Sequence, residues 1–502
     1  MSEEATETES EKGDSLRLIT DGASLFFGGK VLSNGLGFVF NLILTRGLGA
    51  TLYGVYTYAN TITGFFVVLA RLGTGKSLLR FIPSLSDKPA RQNWVTGLAY
   101  LTALLGSVVI GIALFASAPI INTLTLEEPL LVDVLRILAI VLPFNTLSNL
   151  TNSVFRATEQ LEYQIIITNV LKPIIRILAI LSAFTLGYSL IGAVAALAIG
   201  GVLTFGIAIS LLYSKTDIHP TGKRSRGSVS EFYNFSLPLT LKDLGQKLYT
   251  RVDILMVGFF LSGSVVGVYR VSILLATFLT LPLSGINQLF PPIASGLYSN
   301  GRIDELESIY KIVTRWVFTV VIPAALVLTV YSSEVLRIFG DDFSGGGLVL
   351  LFFGIAQLTN CAVGPSGLLL MMTNHQYLNL VNQWVLGVLN VVLNYVLILE
   401  FGFIGVAVAT AGTLTVINVV RVVEVWYVEG MTPYSKKYWK PIIAGLMSFL
   451  VMLGWRSFLS GYPLLIIGST TGALVFVAVL VLLGIEQDDQ EFYAENIRPR
   501  FK

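Results

Sequence analysis

Five ionisable residues fall within twelve positions of an otherwise apolar segment, PLTLKDLGQKLYTRVDILMVGFF (238–260). They are Lys242, Asp243, Lys247, Arg251 and Asp253. Asp243, Lys247 and Arg251 recur at every fourth position, which places them on one face of a helix. An ionisable side chain at the bilayer centre costs about 2.5–3.5 kcal/mol on insertion scales, so it usually faces a cavity or a partner. We interpret this face as one wall of an anion-accepting cavity; the alternative is local ion pairing.

Further basic residues interrupt other apolar segments. Lys172 and Arg176 are also four residues apart, and Lys30 has Asn34 at the same spacing. Arg270, in GVYRVS, has no acidic residue near it in sequence. Guanidinium and ammonium groups are the usual partners of phosphate and diphosphate. The candidate cavity residues are Lys30, Arg71, Lys172, Arg176, Lys247, Arg251 and Arg270.

Polar side chains accompany these bases on several apolar helices. Asn379, Asn382, Asn390 and Asn394 follow one side of a single helix. Such stripes indicate a water-filled interior; the alternative is hydrogen bonding between helices, which asparagines supply in any membrane bundle. Amide and hydroxyl groups can form hydrogen bonds with a hydroxyl-rich cargo, and basic groups can bind a phosphate. A sugar joined to a lipid phosphate meets both demands.

The amino-acid composition indicates what kind of structural element holds these residues in place. Hydrophobic residues make up 54% of the 502 residues and charged residues 13%, and the mean hydropathy is +0.75. Soluble domains average about 25% charged residues, so we predict a polytopic membrane protein. One cysteine, Cys361, excludes an internal disulfide and a cysteine-based metal cluster. We expect no metal site, no bound cofactor and no nucleic-acid partner.

Apolar runs of about 20 residues, the length of a membrane-spanning helix, recur along the chain. We predict fourteen of them: 22–45, 54–79, 93–116, 131–154, 162–186, 188–213, 232–261, 266–290, 311–333, 347–372, 377–399, 403–427, 439–458 and 463–484. An even number places both termini on one side. Loops on that side hold most of the lysines and arginines, so the positive-inside rule predicts that both termini are cytoplasmic and that the protein lies in the cell membrane.

Two phrases recur at one spacing. LYGVYTYA (52–59) returns as VVGVYRVS (265–272), and LIGAVAALA (190–198) returns as FIGVAVATA (403–411), each after a shift of 213 positions. Parallel repeats of this kind are typical of transporters, with the substrate site between the halves; the alternative is a duplication without a transport role. The predicted parts are a disordered acidic cytoplasmic tail (1–21), a six-helix half (22–213), a basic cytoplasmic linker (214–230), a second six-helix half (231–427), two additional spans (428–484) and a cytoplasmic tail (485–502).

Four stretches carry a resemblance to a known family: LTRGLGATLYGVYTYANTI (44–62), ARLGTGKSLLRFIPSL (70–85), YTRVDILMVGFFLSGSVVGVY (249–269) and RIFGDDFSGG (337–346). Over residues 16–484 the chain resembles the polysaccharide and lipid-linked oligosaccharide flippases, of the O-antigen type, within the multidrug/oligosaccharidyl-lipid/polysaccharide exporter superfamily. The resemblance implies a transporter rather than an enzyme. Its cargo would be a polyprenyl- or dolichyl-phosphate-linked oligosaccharide, moved to the outer leaflet by alternating access for cell-surface polysaccharide or glycoprotein glycan synthesis.

The resemblance also implies roles for individual residues. The seven basic residues would line the cavity, and Asp243 and Asp253 would form ion pairs or respond to a coupling cation, for which Na⁺ and H⁺ are the candidates. The implied partners are the lipid-linked glycan and membrane lipids, with glycan-assembly enzymes as further candidates.

Three alternatives remain open. A cation-coupled multidrug exporter of the same superfamily would be expected to carry acids in the first six spans, where this chain carries bases. A peptidoglycan-precursor flippase would share the basic cavity. A membrane glycosyltransferase would need paired carboxylates near an outer loop, for which Asp341 and Asp342 are the candidates.

Overall fold

The computed structural model describes residues 2–221 and 229–484, and it describes side chains from Gly28 onward with the exception of Tyr249. Within those residues the chain is helical and contains no β-strand, which confirms the predicted all-α fold class. The predicted C-terminal tail (485–502) and residues 222–228 of the predicted linker lie outside the described residues.

The chain forms two compact units, Met1–Gly267 and Val268–Lys502. The first unit contains α1 (Ser2–Arg71), α2 (Thr74–Ser84), α3 (Pro89–Leu124), α4 (Pro129–Ala157), α5 (Leu161–Ile165), a π-helix (Ile166–Leu171), α6 (Lys172–Thr185), α7 (Leu190–Lys215), α8 (Val229–Phe260) and the start of α9 (Gly263–Phe278). The second unit continues α9 and adds α10 (Leu281–Ser299), α11 (Ile303–Val330), α12 (Ser332–Arg337), a 3₁₀ helix (Asp341–Gly346), α13 (Gly347–Ala362), α14 (Ser366–Met372), α15 (Gln376–Glu429), α16 (Trp439–Trp455) and α17 (Gly461–Leu482).

The boundary between the units differs from the boundary predicted from the repeat. The contacts place α8 in the first unit, because it packs against α1 and α2. The sequence repeat assigns α8 to the second half, after the linker at 214–230. The division of the chain by the repeat stays a prediction. The predicted disorder of residues 1–21 also stays a prediction; α1 begins at Ser2, within that range.

The two longest helices are each interrupted at one glycine. Gly49 in α1 has φ 72° and Gly402 in α15 has φ 56°, in the left-handed region that glycine enters at little cost. A straight helix of 54 residues, the length of α15, would be about 80 Å long, far beyond the roughly 30 Å hydrocarbon core of a bilayer. The glycine breaks therefore divide each helix into two limbs.

The helix breaks follow the spacing of the sequence repeat. The shift of 213 positions carries Gly49 onto Ser262, which lies between α8 and α9. The same shift carries Ser189, which lies between α6 and α7, onto Gly402. The repeated phrases thus begin just after corresponding interruptions of the backbone.

Nine helices among the described residues are long and apolar enough to cross a membrane, or ten if α9 and α10, bent by 52°, form one span. The chain is therefore a multi-pass membrane protein, while the predicted number of fourteen spans stays a prediction. The difference between this number and the predicted fourteen arises at particular elements. α1 and α15 hold two predicted spans each, α8 carries the five ionisable residues, and α16 has only 17 residues.

Some of these helices have exposed apolar faces that are suited to contact with lipid. Leu105, Val109 and Ile112 on α3 recur at i, i+4 and i+7 and are exposed along one face. The opposite side of α3 joins a buried core in the first unit that includes Phe81, Trp94 and Phe155. In the second unit, α16 and α17 pack on α11.

Glycines bring the repeated phrases into direct contact within the first unit. A Cβ added to Gly54 would lie 1.7 Å from the carbonyl oxygen of Gly263, and one added to Gly267 would lie 2.2 Å from that of Ala50. Only glycine fits such a close approach of two backbones. Gly54 and Gly267 are the counterparts that defined the repeat.

Candidate functional site

The ionisable residues of α8 contact the first two helices. Asp243 forms an ion pair with Lys76 of α2, and its charge also acts on Arg71 at the end of α1. The structure places Lys76 in α2, which packs against α8. Asp243 therefore offsets the charge of two bases that lie outside its own helix.

Lys247, one turn further along α8, lies against a glycine of α1. A Cβ added to Gly64 would be 3.0 Å from the Nζ atom of Lys247. The missing side chain at Gly64 leaves room for the ammonium group beside the helix backbone. This contact sets the position of Lys247 along the second limb of α1, the part of the helix that follows Gly49.

Arg176 of α6 is held by two aromatic residues of α1. Its Nη2 atom donates a hydrogen bond to the Tyr56 hydroxyl at 3.0 Å, and its guanidinium carbon lies 4.0 Å from the centre of the Phe40 ring. Phe40 and Tyr56 lie on opposite sides of the break at Gly49. Arg176 thus contacts both limbs of α1, and the cation–π contact partly offsets the cost of its burial.

A π-helix positions Lys172 next to Arg176. The π-helix ends at Leu171, and Pro173 follows Lys172. A proline ring clashes with the carbonyl group four residues earlier, here that of Asn169, and local widening of the helix relieves such a clash. Lys172 and Arg176 lie one turn apart, and their charges repel each other. Two adjacent cations in an apolar helix favour an anion as their partner.

The contacts on α1 form a row of positive charge. Tyr56, Gly64 and Arg71 lie within about 80° of one another around the helix axis, at separations of about 12 and 10 Å along it. Arg176 is hydrogen-bonded to Tyr56, and Lys247 lies beside Gly64. Arg71 is the third cation of the row. The row extends over about 22 Å, most of the thickness of a hydrocarbon core.

The remaining predicted residues have separate positions. Lys30 is exposed on α1, next to Gly29, which packs against Asn169 of the π-helix. Asp253 is buried, and its Oδ1 accepts a hydrogen bond from the backbone nitrogen of Ile254 at 2.8 Å. Arg251 is half-buried on α8, and Arg270 is half-buried on α9 in the second unit.

Several residues that contact the predicted site residues were absent from the sequence-based site. They are Phe40, Tyr56, Gly64 and Lys76. An aromatic residue or a glycine is common in an apolar helix, so the sequence does not indicate that a cation contacts it. A signal was available for the π-helix, because Lys172 and Pro173 stand together in the middle of an apolar segment.

Three asparagines of α15, Asn382, Asn390 and Asn394, have hydrogen-bond partners within that helix. Asn394 donates hydrogen bonds to Asn390 and to Thr410 on the other limb. Asn382 donates to the Glu424 carboxylate at 2.6 Å. For these residues the structure shows hydrogen bonding between helical limbs, the alternative raised from the sequence.

A profile of the family described as "Polysaccharide biosynthesis protein" matches residues 19–297. That range covers more than half of the chain. It includes most of α1 and all of α6 and α8, the helices that carry the row of cations. The chain belongs to this family. A second profile, MatE, matches residues 238–396.

Two relatives of this family member come from Haloferax volcanii. The probable low-salt glycan biosynthesis flippase Agl15 is 28% identical over 291 residues, covering 56% of this chain and 60% of that protein. The probable flippase AglR is 26% identical over 275 residues, covering 51% of this chain and 56% of that protein. The matches thus span little more than half the length of these relatives.

A solved structure shares the fold of this family member. The lipid II flippase MurJ, in an inward closed conformation, superposes with a TM-score of 0.72. The superposition covers 94% of this chain and 99% of MurJ, at 17% sequence identity. The helical architecture is therefore that of a known transporter fold.

Proposed function

We propose that this protein is a flippase that moves a lipid-linked oligosaccharide from the cytoplasmic to the outer leaflet by alternating access. The row of cations along α1 carries the proposal. Arg176, Lys247 and Arg71 occupy successive heights on one helix face. A phosphate or diphosphate group could be passed between them without leaving a positive environment, while its lipid chain stays in the bilayer.

Asp243 limits how tightly the row holds an anion. It offsets Lys76 and Arg71 at one end of the row, whereas Lys172 and Arg176 lie side by side at the other. Such a gradient of positive charge favours movement of an anion along the helix. Na⁺ or H⁺ remains the proposed coupling ion, and Asp253 is the proposed residue that responds to it.

The names of the Haloferax relatives support this cargo class, since both are described as flippases and one as acting in glycan biosynthesis. Glycan-assembly enzymes are proposed partners on the same grounds. We propose a transport role without chemical catalysis, with both termini in the cytoplasm as the loop charges predict.

The test is deletion of the gene followed by analysis of lipid-linked glycans. We expect an oligosaccharide lipid to accumulate in a form protected from enzymes added outside the cell, and the wild-type gene to reverse this. Normal surface glycans in the deletion strain, with no accumulated precursor, would contradict the proposal.

A second candidate is export of organic cations, which the MatE match over residues 238–396 favours. Drug susceptibility of the same deletion strain distinguishes the two. Increased sensitivity to cationic drugs with unchanged glycans would favour the exporter.

A further inference from the structure

The π-helix (Ile166–Leu171) interrupts an apolar, membrane-length segment directly before Lys172 and Arg176. A π-helix closes its hydrogen bonds one residue further along the chain than an α-helix, so it accommodates an extra residue, and such insertions are frequent at functional sites. Successive residues of an α-helix are turned by about 100°. The place of the extra residue therefore decides which side chains face α1, where Arg176 contacts Phe40 and Tyr56.

Glycines of α1 hold both ends of this segment. A Cβ added to Gly29 would lie 2.9 Å from the Cγ2 atom of Ile165, just before the π-helix. One added to Gly47 would lie 2.3 Å from the ring of Phe184, near the end of α6. Both side chains thus pack directly on the backbone of α1. Rotation of the whole segment would break these contacts, whereas movement of the extra residue along the helix rotates only the residues between them.

One hydroxyl group is unsatisfied in the present arrangement. Thr168 lies within the π-helix, and its Oγ1 atom is buried without a hydrogen-bond partner among the described residues. In α-helices of the same unit, Thr63 and Thr146 donate to the carbonyl oxygen four residues earlier, each at 2.8 Å. An α-helical turn at Thr168 would offer it the carbonyl oxygen of Gln164 in the same way.

Two features favour the present arrangement instead. The ring of Pro173 clashes in an α-helix with the carbonyl group four residues earlier, and Arg176 keeps its contacts with α1. Each position of the extra residue thus satisfies groups that the other leaves strained or unpaired. The segment has the properties of a two-state element.

The sequence supplies apolar side chains for the second arrangement. If the extra residue moves beyond Arg176, each residue before it takes the place of its successor. Leu171 then replaces Lys172, and Ile175 replaces Arg176. Two cations are exchanged for two apolar side chains at the same positions.

The contact of α6 with α7 survives this exchange. Ile175 packs on Gly200 of α7, where an added Cβ would lie 2.9 Å from its Cγ2 atom. Ile174, which is 40% exposed in the present arrangement, would take that place. One isoleucine therefore replaces another against α7.

We propose that the extra residue of the π-helix moves along α6 during transport and withdraws Arg176 from α1 together with Lys172, which releases the bound anion. The anion binds while the cations are presented, and it leaves when apolar side chains replace them. The existence of two registers is a property of α5 and α6 alone, whereas their role in release rests on the proposed flippase function.

The test traps each register with a disulfide in the full-length protein in membranes. Ile175→Cys with Gly200→Cys should cross-link in the present register, and Ile174→Cys with Gly200→Cys in the shifted one. We expect both pairs to form on oxidation, measured as lost labelling by a polyethylene glycol maleimide after denaturation. Oxidation of the 175–200 pair should stop transport, and reduction should restore it.

Matched variants distinguish a change of register from general mobility of α6. Arg176→Cys with Gly200→Cys places the cysteine one residue to the other side of Ile175, where only a second extra residue would bring it to Gly200, and it should not cross-link. Pro173→Ala removes the clash and should increase the 174–200 disulfide. Thr168→Val removes the hydroxyl and should decrease it about three- to tenfold, the effect of one hydrogen bond.

Three results would overturn the proposal. A 174–200 pair that stays reduced while the 175–200 pair cross-links would exclude the second register. Equal cross-linking of the 176–200 pair would indicate general mobility. Unchanged transport by the oxidised 175–200 protein would exclude a role in release. The cross-links are measured without cargo, so they decide between one register and two even if the proposed transport is not observed.

Discussion

Arg176 illustrates what determines the role of a charged residue inside an apolar helix. Its partners are a tyrosine hydroxyl and a phenylalanine ring rather than an acid, so its positive charge is stabilised without being cancelled. Asp243 has the opposite role, because it offsets the charges of Lys76 and Arg71. The net charge of the row on α1 therefore depends on residues from three other helices.

Replacing Arg176→Ala should lower transport at least tenfold while membrane abundance stays unchanged, because the row loses one of its three cations. Transport is measured as the appearance of the lipid-linked glycan in the outer leaflet of a complemented deletion strain. Arg136→Ala is the matched control, since Arg136 is also half-buried against a phenylalanine ring, that of Phe115. Equal loss in both variants would indicate a structural role for arginine in general.

The ion pair between Asp243 and Lys76 should contribute little to stability. Both side chains are partly exposed, and such pairs contribute about 0.2–1 kcal/mol. A double-mutant cycle with Lys76→Gln and Asp243→Asn, followed by thermal unfolding in detergent, measures this coupling. Asp243→Asn should nevertheless slow transport, because it increases the positive charge near Arg71 and so reduces the proposed gradient of charge along α1. A coupling energy above about 3 kcal/mol would make the pair a structural anchor instead.

The predicted site residues show what sequence patterns can and cannot determine at this scale. The i, i+4 spacing correctly placed Lys172 beside Arg176, because helix geometry alone sets that relation. Which residue lies opposite a base depends on packing between distant segments. Lys76 and Asp243, for example, are separated by 167 positions, and no local pattern relates them.

At the scale of elements, glycines decide where helices bend and how closely they approach. Gly49 and Gly402 interrupt α1 and α15, and Gly54 allows two backbones to meet. Sequence patterning separated the two limbs of each long helix into spans, because the apolar runs stop near these glycines. It did not reveal the π-helix before α6, since hydropathy is insensitive to a single extra residue in a turn.

Replacing Gly54→Ala should lower the free energy of unfolding by about 1–3 kcal/mol, the usual cost of overpacking. The added methyl group would meet the backbone of Gly263, which cannot turn aside as a side chain could. Gly37→Ala is the control in the same helix, because a Cβ there meets nothing within 4 Å; it should be neutral or stabilising. The comparison is made by thermal unfolding, and equal stability of the two variants would contradict the close approach.

At the scale of the whole molecule, the proposed transport of a phosphate-linked cargo should depend on the membrane potential. With a negative cytoplasm, outward movement of each negative charge is favoured by about 2.3 kcal/mol per 100 mV. Collapsing the potential in sealed vesicles that contain the protein should therefore slow flipping of a phosphate-linked cargo. Unchanged rates at zero potential would exclude this driving force, and a dependence on Na⁺ or pH alone would assign coupling to that ion.

The predicted orientation can be tested with introduced cysteines, because Cys361 is the one cysteine of the sequence and is fully buried. Cysteine at Glu127, between α3 and α4, should react with an impermeant maleimide in intact cells. Cysteine at Lys88, between α2 and α3, should react only after the membrane is opened. The reverse pattern would place the termini outside.

The contact between Gly54 and Gly267 has a consequence for the sequence repeat. These glycines occupy equivalent positions of the repeat, so they meet as a residue and its own copy. In a symmetric homodimer a residue on the twofold axis likewise contacts itself across the interface. Glycine is therefore required at both positions of the repeat, because each of the two meets the backbone beside the other.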